Sequence, residues 1–91
     1  MSERLLPGAD LVEAGLADLR GGIESIEALL VLIGAPRLRA CGVDVPAVSV
    51  ESPEHRLYAT LEAEDSDSAH SRYNALIRRL VSYERALECA R

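Results

Sequence analysis

The chain of 91 residues contains no Phe, no Trp and no Lys, and it has only three Tyr, two Cys and one Met. Each shortage excludes something. Without Phe or Trp the core must be aliphatic, supplied mostly by Leu, Ala and Val. Without Lys, every basic side chain is Arg, whose planar fork suits carboxylates. A complete swap of Lys for Arg is what genome composition produces, rather than selection at each site. The longest apolar run, Ala28 to Ile33, is far shorter than the roughly 20 residues of a membrane span. The two cysteines, Cys41 and Cys89, lie far apart and match no metal spacing. The opening stretch, MSERLLPGAD, has no basic region followed by an apolar run, so no signal peptide is expected. The expected location is therefore the cytoplasm, with reduced thiols. There is no phosphate-binding glycine loop and no nucleophile elbow, because all the glycines except Gly15 fall at expected helix ends.

What is present describes one folded domain. An apolar fraction of 48% suits a packed chain, and the length suits a small core, so a small bundle or an oligomer is expected. The net charge of −5 is unevenly spread. Residues 1–66 hold five Arg against twelve acids, and residues 67–91 hold five Arg against three. The acidic balance repels phosphate backbones and makes nucleic acid a disfavoured partner.

The periodicity predicts an all-α fold: a single domain over 1–91, as a bundle of about four helices with a long C-terminal helix and one extended connector. Residues 1–8 read as a loose lead-in that Leu5 and Leu6 could anchor. The first helix runs from Ala9 to Arg20, with Val12, Leu16 and Leu19 on one face, Asp10 in its first turn and Arg20 in its last. Gly21-Gly22 ends it. Gly15, inside this helix, predicts a close approach to another helix, against Ala28 or Ala75. The second helix is expected over Ile23–Ile33, with Ile26, Leu29, Leu30 and Ile33 facing the core. Gly34 should stop it, and Pro36 should open a separate short turn of helix over Pro36–Cys41, closed by Gly42. Val43–Glu51 is rich in Val, but Pro46 and the lack of a second strand favour an extended connector. Ser52-Pro53-Glu54 starts a third helix that runs to about Glu64, with Leu57, Tyr58 and Leu61 inward. The last helix spans Asp67 to Ala90, capped by Ser66 or Asp67, with Tyr73, Leu76, Ile77, Leu80 and Leu87 toward the core.

Three functional readings follow. The leading one is a non-catalytic interaction module that self-associates as a homodimer, needing no cofactor. Val31 and Leu32 lie off the core stripe of the second helix, and such uncovered apolar positions mark partner surfaces. The second is a regulator that holds an acidic protein, or less favourably nucleic acid, through Arg72, Arg78, Arg79 and Arg85 on the outer side of the last helix. The third is a metal protein or enzyme. Its weak candidate ligands are Asp67 and His70, three apart at a helix start. Acids at a helix start are ordinarily dipole partners, and no catalytic residue stands out.

Overall fold

The structure is a computed structural model, and it describes residues 6–90. Four helices make up the regular structure of these residues: α1 (Ala9–Arg20), α2 (Ile26–Ala40), α3 (Pro53–Glu64) and α4 (Ala69–Ala90). Among the described residues there is no strand, and no helix is long and apolar enough to cross a membrane. Each helix packs on the next in sequence, and α4 closes the bundle against α2 and α1. Leu5 lies outside the described residues, while Leu6 packs on the core edge.

α1 forms where its periodicity predicts. Val12, Leu16 and Leu19 are buried, and Ala9 joins them. Its end is a two-bond reversal. The Gly22 N–H donates to Leu19 O (3.1 Å) and the Ile23 N–H to Asp18 O (2.8 Å), with Gly22 at φ 73°. That left-handed geometry is the usual glycine-terminated helix end. It also removes Ile23 from α2. The second helix starts three residues later than the sequence predicts, because Ser25 takes extended backbone and its side chain accepts the Ala28 N–H at 3.0 Å.

The other end of α2 departs further from expectation. The helix does not stop at Gly34; it continues through Gly34 and Pro36 to Ala40. Pro36 has no N–H for the Leu32 carbonyl, and its ring crowds that turn, a cost of roughly 3 kcal/mol in a helix interior. Continuing the helix buries Ala35 and Leu38, which offsets this. Gly34 is a notch rather than a stop: a Cβ there would meet Leu80 Cδ1 at 3.0 Å and Glu84 Oε2 at 2.6 Å.

Gly15 is the close approach it promised to be, but its partner is one turn of α2 around Ala28, not Ala75 on α4. A Cβ at Gly15 would lie 2.5 Å from Val31 Cγ2 and nearer still to the Glu27 carbonyl oxygen. α1 therefore lies directly on α2 and seals Val31, which is 0% exposed.

The connector after α2 is extended and unpaired, as expected. Val45 plugs the core, and Arg39 holds this stretch by donating to Val45 O (3.2 Å) and Pro46 O (3.1 Å). α3 begins at Pro53, but Ser52 sits in left-handed backbone (φ 49°) and gives no side-chain cap. Leu57 and Leu61 are fully buried, and the half-buried Tyr58 ring lies 5.6 Å from that of Tyr73. α4 starts at Ala69, later than predicted, and Asp65 rather than Ser66 or Asp67 organises the entry. Its carboxylate accepts the Asp67 N–H (3.1 Å) and the Ser68 hydroxyl (3.1 Å). Leu29, Leu30, Leu80 and Leu87 are buried as expected, whereas Ile26, Ile33, Tyr73, Leu76 and Ile77 are half-buried at its edge.

Candidate functional site

The exposed large hydrophobic side chains among the described residues are Ile23 (56%) and Val48 (39%). They come from different elements, the α1–α2 turn and the connector, yet they line the same pocket. It is about 140 Å³, floored by Leu19, Ala28 and Leu32 and walled by Ile23, Val48 and Val50. Glu24 stands on its rim and accepts from Arg56 Nε at 3.0 Å and Nη2 at 2.5 Å. The two-bond reversal at Gly22 fixes where Ile23 projects. Ser25 strengthens the turn by donating from its hydroxyl to Asp18 Oδ2 at 2.5 Å.

This patch partly replaces the seam that the sequence suggests. Val31 cannot present a surface, because the approach of α1 at Gly15 covers it completely. Leu32 remains half-buried and forms part of the pocket floor. Counted as the first residue of a helix, Ile23 falls on the core stripe; the reversal at Gly22 leaves it exposed instead.

The arginines of α4 are likewise redistributed. Arg72 pairs with Glu64 of α3 at 2.9 Å, and Arg79 pairs with Asp10 of α1 at 3.0 Å. These two side chains tie helices together instead of standing free for a partner. Such exposed pairs contribute at most about 1 kcal/mol each. Arg85 is exposed and contributes to holding Glu88 down; Arg78 is exposed with no carboxylate partner among the described residues.

Among the described residues one ionic side chain is buried, and its place in the sequence, flanking the apolar stripe of α4, marks it only weakly. Glu84 lies on the α2-facing side of α4, with its side chain 5% exposed. Arg37 gives it one contact, Nη1 to Oε1 at 3.3 Å, but grips Glu88 with two shorter ones at 2.7 and 2.8 Å. The two carboxylates respond oppositely. The hydrogen bond from Arg37 holds Glu88 below its ordinary value. Burial pushes Glu84 above its own, more strongly than Arg37 pulls it down. A raised carboxylate means that the folded state binds that proton more tightly than the unfolded chain. Its charged form then weakens the fold at pH above the folded value, and the penalty disappears as pH falls toward the ordinary glutamate range. Relative to Glu84→Gln, wild-type stability should therefore rise on acidification from neutral pH through this window. Urea unfolding of both proteins across the range would show it; a flat or falling difference would contradict the burial effect.

Asp67 and His70 are exposed, and His70 Nε2 faces Asn74 Nδ2 at 3.1 Å. Among the described residues, no three His, Cys, Asp or Glu side chains converge as a metal set. Comparison of the chain with protein-family models, with curated proteins and with solved structures gave no match.

Proposed function

We propose that the chain is a small, non-catalytic helical interaction module that self-associates. The observation that carries this reading is the convergence of Ile23 and Val48 on one apolar pocket beside Leu32. An aliphatic bundle that covers Val31 so completely leaves these side chains to water, and grouped apolar exposure of this kind marks binding surfaces. The rim adds an acid and a base, Glu24 and Arg56, which suit a polar border around an apolar centre. We also propose a cytoplasmic location, for which the free thiols Cys41 and Cys89 give support. The alternative of an acidic partner gripped by α4 is left with Arg78 and Arg85, since Arg72 and Arg79 are engaged within the bundle.

The patch is small beside the roughly 800 Å² per partner of a stable interface, so association should be reversible and concentration-dependent. Sedimentation equilibrium from micromolar to millimolar protein should show the apparent mass rising from monomer toward dimer. A monomer throughout that range would remove self-association.

A further inference from the structure

The buried Glu84 lines a second cavity, separate from the one beside Ile23. It lies in the groove between α2 and α4 and has a volume of about 260 Å³. Ile33 and Pro36 wall it on one side, and Ile77, Leu80 and Val81 on the other. The only charged side chains lining it are Arg37 and Glu84. Gly34 sets the position of the carboxylate. With no side chain at Gly34, Glu84 lies against the α2 backbone, its Oε2 2.6 Å from where a Cβ would stand.

The charge of Glu84 is incompletely met. Arg37 reaches it through Oε1 at 3.3 Å and grips Glu88 through two shorter bonds at 2.7 and 2.8 Å. Two carboxylates therefore share one guanidinium, and the one with the weaker contact is the buried one, its side chain 5% exposed. Burial raising the Glu84 carboxyl above its ordinary value is the same imbalance seen from the proton's side. A carboxylate held in an aliphatic groove costs free energy until a cation pairs with it. An anion entering the groove would face both Glu84 and Glu88. A neutral apolar molecule would strip water from the carboxylate and return nothing.

We propose that the α2–α4 groove is a binding site for a small organic cation, a primary amine with an aliphatic body. The ammonium donates to the Glu84 carboxylate, and the body lies on Ile33, Ile77 and Val81. These three side chains are half-buried and still have apolar surface to cover. The cavity lies near the lower end of the roughly 300–1,000 Å³ of ligand pockets, which suits a small molecule rather than a polypeptide segment. Arg37 keeps its grip on Glu88 throughout. The site does not depend on self-association.

The test titrates the isotope-labelled full chain at pH 8 with three matched probes: cyclohexylmethylamine, cyclohexylmethanol and cyclohexanecarboxylate. Amide shifts report both affinity and place. The amine should move the amides of Gly34, Arg37, Leu80 and Val81. It should bind about tenfold more tightly than the alcohol, the gain expected of one charge-assisted hydrogen bond. The carboxylate should not bind there. Glu84→Gln keeps the shape and removes the charge, so it should bring the amine down to the affinity of the alcohol. Ile77→Ala keeps the charge and trims the wall, so it should weaken amine and alcohol alike. Equal binding of amine and alcohol, shifts confined to other surfaces, no amine shifts at millimolar concentration, or full amine affinity in Glu84→Gln would overturn the assignment. Should Glu84→Gln fail to fold, the amine-to-alcohol ratio and Ile77→Ala decide the matter: unchanged amine affinity in Ile77→Ala overturns it too.

Discussion

Replacing Gly15 by alanine is expected to destabilise the bundle by about 1–3 kcal/mol, the usual range for forcing extra atoms into a packed core. The sign is opposite to the general rule, since alanine in a helix interior ordinarily gains about 1 kcal/mol over glycine. The rule fails here because α1 and α2 touch through backbone. The new methyl would meet the Glu27 carbonyl and lie 2.5 Å from Val31 Cγ2. A flexible side chain could step aside, but a helix carbonyl moves only with its helix. The two helices would have to separate, loosening the core that Val12 and Leu16 share with α2. Urea unfolding monitored by helical circular dichroism measures this directly. A gain in stability would show that α1 and α2 are further apart than described.

Leu38→Ala should cost about 2–5 kcal/mol, the range found when a buried leucine is cut back to leave a cavity. Leu38 is 0% exposed, although it lies beyond both Gly34 and Pro36, where the sequence alone ends the helix. The variant therefore tests the continuation of α2 as well as the packing. In a short separate turn of helix on the surface the same change would lie within about 0.5 kcal/mol, as ordinary surface substitutions do. Such a small loss would mean that residues 35–40 do not pack as a helix in the core.

Where local and tertiary signals agree, the helices are legible from the residues alone. α1 and α3 have single apolar faces, and their limits fall where the sequence puts them, although neither start carries a side-chain cap. α2 is different. Gly34 and Pro36 are strong local breakers, and only burial supplied by other elements keeps the helix going past them. The N-terminal limit of α2 fails for a related reason. Ile23 fits the apolar spacing, but the Gly22 reversal consumes its backbone before a helix can begin. The candidate surface was half visible. Leu32 stands off the stripe in the sequence, but whether Val31 beside it is bare depends on how closely α1 comes, and that distance is set by Gly15. The arginines of α4 show the limit most plainly. Their outward spacing is a property of the helix, whereas the carboxylates of Glu64 and Asp10 that take up Arg72 and Arg79 belong to other helices. Glu84 follows the same pattern: its position beside Leu80 is readable, but its partner Arg37 lies beyond Gly34, where the sequence alone places a separate short turn of helix.

The turn that carries Ile23 is fastened at both ends. Its backbone N–H is bound to Asp18 O, and the side chain of Asp18 reaches forward to accept from Ser25, the residue that caps α2. An isoleucine on a loose loop would have to surrender backbone freedom on meeting a partner, at roughly 1–2 kcal/mol per residue fixed. Here folding has already taken that entropy loss, since residues 21–25 are ordered by hydrogen bonds internal to the monomer. A contact made by this turn thus keeps nearly all the free energy of burying its side chain, leaving mainly the loss of overall tumbling to oppose it. Should the patch take a partner, this rigidity is what lets so small an area hold it.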